Sequence, residues 1–169
     1  QWASAFTESA LGVSKTVGDL AGPCLFAAFM GSSRMLYGKM STKLNLTRAM
    51  LLSGLLCVAC YLLASLSPLP ILGLAGCALC GFSVGIMWPG TISLSSQKCP
   101  QGGTAMFAVL ALAGDFGSTV SPAMVGSLSE LAGGNLKTGL LAATIFPILL
   151  VFRLFVLNRK MKDLHPELA

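Results

Sequence analysis

Five apolar segments dominate this sequence, and each is long enough to cross about 30 Å of hydrocarbon as a helix that rises about 1.5 Å per residue. They cover approximately residues 17–37, 48–66, 69–95, 104–127 and 136–157. The strands of a membrane barrel would be only about 10 residues long and would alternate between apolar and polar side chains. The segments therefore predict an all-α fold, a polytopic membrane helix bundle with about five transmembrane helices.

The composition indicates that lipid, not water, surrounds most of the chain. Only 10% of the residues are charged and 54% are hydrophobic, whereas a soluble domain carries about 25% charged residues. The formal net charge of +5 does not indicate nucleic-acid binding, because the basic residues form no face beside aromatic side chains. We therefore expect membrane lipid as a partner and no nucleic acid.

The beginning of the chain predicts a fragment. It starts at Gln1 without an initiator methionine or a signal-peptide pattern, and the residues from Trp2 to Phe6 are typical of the end of a helix. We expect three parts. Residues 1–16 hold the end of a preceding helix and an external loop, residues 17–158 form the five-helix bundle, and residues 159–169 form a cytoplasmic tail.

The basic residues predict the orientation in the membrane, because lysine and arginine accumulate in cytoplasmic loops. Only Lys15 and Lys137 fall on one side. The connections on the other side, together with the C-terminal tail, carry Arg34, Lys39, Lys43, Arg48, Lys98, Arg159, Lys160 and Lys162. The C-terminus is therefore predicted to be cytoplasmic.

A glycine and cation motif lies in the predicted first cytoplasmic loop. It consists of Gly31, Arg34, Gly38 and Lys39. The two glycines would permit a tight turn and close helix approach, and the cations can donate to helix C-terminal carbonyls or to a carboxylate of a neighbouring helix. We call residues 31–39 the gate segment. Its role is either a gate that closes the cytoplasmic side or an ordinary basic loop with glycine turns.

Asp115 lies near the middle of the fourth apolar segment, close to Gly114 and Gly117. A carboxylate at this depth costs a few kcal/mol unless it is paired, protonated or exposed to water, so it predicts a functional site by default. Asp115 would act as a proton carrier or as an acceptor for solute hydroxyls, with Phe116 beside it as a second candidate. The alternative is a structural carboxylate that bonds to the next helix.

A helix break is predicted in the third segment. Pro89 removes one helical hydrogen bond and frees a carbonyl, and Gly85 and Gly90 permit the helix to bend. Interrupted helices of this kind indicate a midplane binding site in transporters. Trp88 could then stack its indole on a sugar face, although an interfacial aromatic beside a structural kink would have the same sequence.

The cysteines and the single histidine give no catalytic or metal site. Two Cys-x-x-Cys pairs, at 57–60 and 77–80, have zinc-ribbon spacing but lie within apolar helices without polar neighbours. His165 falls in the polar tail, and no nucleophile, base and acid set is present. We expect no enzyme, no metal and no cofactor. Cys77, Gly81 and Gly85 are spaced four apart, which favours close helix packing.

Four stretches resemble known transporters. The gate segment resembles the second copy of the loop signature of the major facilitator superfamily, which lies between helices eight and nine. Residues 6–9, 87–91 and 111–117 are similar to bacterial permeases of the fucose, galactose and glucose proton symporter type. The resemblance covers nearly the whole chain, from the end of helix seven to helix twelve.

The resemblance implies the C-terminal half of a twelve-helix transporter fold in the inner membrane, with the second and fifth segments towards lipid. It also implies alternating-access transport of a small polar solute, a sugar coupled to a proton or another cation, with an N-terminal half as partner. Asp115 and Trp88 would then line the cavity between the halves. Two alternatives stay open: a multi-pass scaffold without a transport cycle, and an exporter of a more apolar solute.

Overall fold

A computed structural model describes residues 15–40 and 45–164, and every regular element in these two ranges is a helix. The all-α prediction is therefore confirmed. The helices are α1 Lys15–Met40, α2 Leu46–Leu66, α3 Pro70–Val84, α4 Met87–Lys98, α5 Gly103–Leu131, α6 Leu136–Ala143 and α7 Ile145–Leu164. The predictions for residues 1–14, for Lys43 and for His165 lie outside the described residues.

Four spans in the described ranges are long and apolar enough to cross a membrane. They are Leu46–Leu66, Ile71–Lys98, Gly103–Leu131 and Leu136–Arg159, and they correspond to the second to fifth predicted segments. The helix α1 has sufficient length, with 26 residues, but its sequence is too polar to join this group. The described part of the chain is therefore a multi-pass membrane helix bundle with four spans of clear membrane character and one long, more polar helix, α1.

The helix α2 lies at the centre of the packing, because it contacts α3, α4, α6 and α7. Its inner face buries Met50, Cys57, Cys60 and Ala64. Its outer face is a stripe of exposed leucines at helical spacing: Leu52, Leu55, Leu62 and Leu66. One side of α2 thus forms the core of the described bundle, and the other side presents the apolar surface that lipid requires.

The helices α1 and α3 pack backbone against backbone. A Cβ added to Gly81 would overlap with the backbone of Phe26, and a Cβ added to Gly85 would lie 2.9 Å from the Met30 carbonyl oxygen. Both pairs advance by four residues in the same direction, so α1 and α3 run parallel. The predicted packing role of the small residues in the third segment is confirmed at these two glycines.

A lysine joins two turns at the end of the bundle that is predicted to be external. Lys137, at the start of α6, donates from Nζ to the carbonyl oxygen of Ser67, the C-cap of α2, at 2.7 Å. The carbonyls at a helix C-terminus lack intrahelical donors and carry partial negative charge, so a cation is favourable there. This bond connects chain segments that lie 70 residues apart.

Replacing Lys137 by methionine is expected to lower the free energy of unfolding by about 1 kcal/mol, because the Ser67 carbonyl loses its charged donor. The measurement is the thermal unfolding midpoint of the purified intact protein in detergent. Lys98→Met, which removes an exposed lysine at the other end of the bundle, is the matched control. Equal shifts in the two variants would contradict the prediction.

Candidate solute site

The regular helix of the third span is interrupted at Gly85 and Ile86, a point that we call the bend. The helix α3 ends at Val84 and α4 begins at Met87, with Ile86 at φ −95° and ψ −9°. Pro89 has no N–H group, so the carbonyl of Gly85, four residues earlier, receives no helical donor. The helical pattern resumes at once, because the Gly90 N–H donates to the Ile86 carbonyl at 2.8 Å.

Arg34 supplies the missing donor. Its Nε lies 3.1 Å from the Gly85 carbonyl oxygen, which is the carbonyl that Pro89 leaves free. The sequence separation of 51 residues means that α1 and the bend must pack closely for this bond to form. The gate segment and the helix break, which were predicted separately, therefore meet at one point.

The gate segment is helical, which corrects the prediction of a loop. The helix α1 continues to Met40, so Gly31, Arg34, Gly38 and Lys39 all lie within it. A glycine inside a helix costs only about 1 kcal/mol, which the surrounding residues can offset. Among the described residues, a Cβ added at Gly31 would meet open space, so close helix approach at the two glycines stays a prediction.

An open cleft of about 250 Å³ lies beside the bend. Its lining residues are Arg34, Tyr37, Ile86, Trp88 and Pro89. The guanidinium of Arg34 is the one charged group among them, and the other walls are largely apolar. Tyr37 and Ile86 were not predicted as site residues. Tyr37 lies three residues after Arg34 and therefore on the same face of the helix, and this spacing could have identified it as a site residue.

Trp88 connects the third span to the fourth. Its ring packs on Gly114, because a Cβ added at Gly114 would lie 3.1 Å from the Cη2 and Cζ3 atoms of the indole. Gly114 immediately precedes Asp115, so the structure brings Trp88 close to the Asp115 segment. Trp88 itself is 45% exposed, which leaves part of the ring open to the cleft.

Asp115 and Phe116 lie on open faces of α5. Phe116 is 70% exposed, and Asp115 is also exposed. In the part of the chain that the structure describes, no cation forms an ion pair with Asp115. Its backbone carbonyl accepts hydrogen bonds from the hydroxyls of Ser118 at 2.8 Å and Thr119 at 3.0 Å. These hydroxyls continue the polar character of the helix for one further turn.

Gly90 serves packing more than bending. A Cβ added there would lie 2.8 Å from the Sδ of Met50, so Gly90 is the point at which α4 contacts the buried face of α2. Among the described residues, no group of three or more His, Cys, Asp or Glu side chains is placed to hold a metal ion.

The comparisons with known proteins identify the family of the chain. The family described as Major Facilitator Superfamily matches residues 2–168. The chain belongs to this superfamily. No curated protein and no solved structure matches it significantly. The resemblance is thus confirmed at superfamily level, and the closer similarity to sugar permeases stays a prediction.

Membership in the major facilitator superfamily identifies the chain as a membrane transporter protein of a superfamily that carries small solutes. The superfamily is one of transporters, which points away from an enzyme. The spans described above are consistent with this membership. Within the superfamily, the cleft, the bend and the Asp115 segment form the candidate solute site.

Proposed function

We propose that the chain forms part of a secondary active transporter that moves a small polar solute, a sugar together with a proton, by alternating access. One observation carries the proposal: the indole of Trp88 packs on Gly114, the residue that directly precedes the exposed Asp115. An aromatic face and a carboxylate are the groups that recognise the apolar face and the hydroxyls of a sugar.

The surroundings of α5 support a solvated site on this helix. The span Gly103–Leu131 is the least apolar of the four membrane spans, and only 6% of its most apolar window is buried, against 22% to 44% in the others. A helix that faces lipid should instead be the most apolar. A lipid-exposed carboxylate in mid-membrane would also cost about 2.5–3.5 kcal/mol or more. We infer that α5 borders an aqueous cavity between this chain and an N-terminal half.

The depth of the two residues supports a midplane site. Asp115 lies 12 residues after the start of α5 at Gly103, which corresponds to about 18 Å along the helix. Trp88 lies 10 residues before the end of α4 at Lys98, which corresponds to about 15 Å. Both residues are therefore near the centre of a membrane about 30 Å thick, measured from the end predicted to be cytoplasmic.

The other predicted site residues have roles in the same transport cycle. Asp115 accepts hydrogen bonds from the solute or carries the coupling proton, and Trp88 and Phe116 stack on the solute. The gate segment closes the cytoplasmic side through Arg34 and Lys39. The protein lies in the inner membrane with a cytoplasmic C-terminus.

A second candidate function is export of a more apolar solute. It is favoured by the large apolar side chains on the open faces of α5, which include Phe107, Leu112 and Phe116. Such a surface could hold an amphipathic cation, with Asp115 as its counter-charge. The two candidates predict different solutes and opposite directions of transport.

Proton-coupled uptake is tested by recording the external pH of weakly buffered cells that produce the intact protein while candidate sugars are added. We expect alkalinisation with one sugar, its loss in Trp88→Ala, and its retention in Leu52→Ala, which changes the leucine stripe of α2. Cells without the protein give the baseline.

Absence of a pH change with every sugar, despite confirmed membrane insertion, would contradict sugar and proton coupling. The same cells loaded with a fluorescent lipophilic cation then test the second candidate. Energy-dependent efflux that Trp88→Ala removes would favour the exporter.

A further inference from the structure

The buried carbonyl of Gly85 needs a hydrogen-bond donor from outside its own helix. Gly85 is buried, and a buried carbonyl without a donor carries a desolvation penalty. Pro89 cannot donate to it, so the donor must come from another part of the molecule. Arg34 Nε fills this role at 3.1 Å.

The close packing of α1 and α3 makes this bond possible. A Cβ added at Gly85 would lie 2.8 Å from the Cβ of Ser33 and 2.9 Å from the carbonyl oxygen of Met30. Phe26 faces Gly81, Met30 faces Gly85, and one further turn along both parallel helices brings Arg34 level with Pro89. The Arg34 side chain is therefore directed to the bend by the register of the two helices.

We propose that Arg34 is a positioning residue for the solute site: its Nε–H replaces the N–H that Pro89 lacks and so fixes the angle between α3 and α4. That angle determines where Trp88, in the first turn of α4, meets Gly114. This proposal goes beyond closure by the gate segment, since it assigns Arg34 an effect on the solute site itself. The effect of Arg34 on the position of Trp88 does not depend on the proposed function. Only the transport measurement that follows rests on it.

The consequence is a direct link between the gate segment and the solute site. A shift of α1 relative to α3 would remove the donor from the Gly85 carbonyl. The bend would then relax, and Trp88 would leave its position against Gly114. The reverse also follows, because a solute that holds Trp88 in place would favour the Arg34 bond.

The test is a double-mutant cycle in a variant of the intact protein in which every other tryptophan, Trp2 included, is replaced by phenylalanine. Arg34→Gln places an amide nitrogen near the position of Nε and keeps a donor, whereas Arg34→Met has similar volume and no donor. Pro89→Ala restores the backbone N–H that can reach Gly85. Acrylamide quenching of Trp88 fluorescence in detergent reports the exposure of the ring, and Arg48→Met is the control for an exposed arginine on the same side.

We expect Arg34→Met to increase the quenching of Trp88, because the loss of one charge-assisted hydrogen bond shifts the equilibrium between helix angles about ten-fold. Arg34→Gln should leave quenching close to that of the parent. In the Pro89→Ala background, Arg34→Met should have little effect. Equal effects of the two Arg34 variants, or an Arg34→Met effect that Pro89→Ala does not reduce, would overturn the proposal.

Two further outcomes also decide the matter. If Arg34→Met does not accumulate as folded protein, recovery of folded protein by the added Pro89→Ala supports the proposal, and failure to recover overturns it. If the fluorescence cycle shows the expected coupling but no solute is transported, the positioning role holds while the proposed transport function fails. Normal transport with no coupling in the cycle gives the opposite conclusion.

Discussion

Replacing Asp115 by asparagine is expected to lower solute transport about ten- to hundred-fold, since each charge-assisted hydrogen bond to a solute hydroxyl is worth about 1.5–3 kcal/mol. The same change is expected to leave the thermal unfolding midpoint nearly unchanged. The reason is that Asp115 is exposed and, in the proposed function, faces an aqueous cavity, where its carboxylate keeps its water. Uptake of labelled solute and thermal unfolding are measured on the same preparations.

Glu130→Gln is the matched control for Asp115→Asn. Glu130 is exposed on the same helix, but it lies in its last turn, where water is close. Its replacement should change neither transport nor the unfolding midpoint appreciably. Full transport by Asp115→Asn would remove Asp115 from the solute site, and a lower midpoint together with lost transport would indicate a structural carboxylate.

Replacing Gly81 by alanine is expected to lower the free energy of unfolding by about 3 kcal/mol, the upper part of the range for overpacking a well-packed interior. The added Cβ would overlap with the backbone of Phe26, and a backbone cannot move aside as a flexible side chain can. The helices α1 and α3 would have to separate. Thermal unfolding of the purified intact protein measures the effect.

Gly31→Ala controls for the change of residue type. Gly31 also lies inside α1, but an added Cβ there meets open space in the described structure. Alanine has the higher helix propensity by up to about 1 kcal/mol, so this variant should be neutral or slightly more stable. Similar destabilisation by both variants would show that backbone contact at Gly81 is not the cause.

The sequence predicts the spans well because their signal is local. A run of about 20 apolar residues has one stable conformation in lipid, since a helix satisfies every backbone group within the segment. Four predicted spans correspond to those in the structure. The gate segment shows the limit of local signals: two glycines indicate a turn, but the residues from Gly31 to Lys39 continue the helix.

The candidate site could be predicted only as separate parts. Trp88, Asp115 and Arg34 each stand out because a polar or aromatic residue is unusual within or beside an apolar run. Their meeting depends on tertiary packing: the register of Gly81 and Gly85 against α1 sets the reach of Arg34. The bend then sets the contact between Trp88 and Gly114. Helix register across 51 residues leaves no signal in a single sequence.

The bond between Lys137 and Ser67 has a mechanical consequence. It joins α2 to α6 at one end of the bundle. When α2 tilts, its displacement would therefore be smallest at that end and largest at the other end. The 21 residues of α2 extend over about 30 Å. A rotation of about 10° would therefore move the far end by about 5 Å, which is close to the one-turn shift of about 5.4 Å seen in large helix rearrangements. Met50 lies near that far end, in contact with Gly90. A tilt of α2 would therefore push on α4 two residues from Trp88.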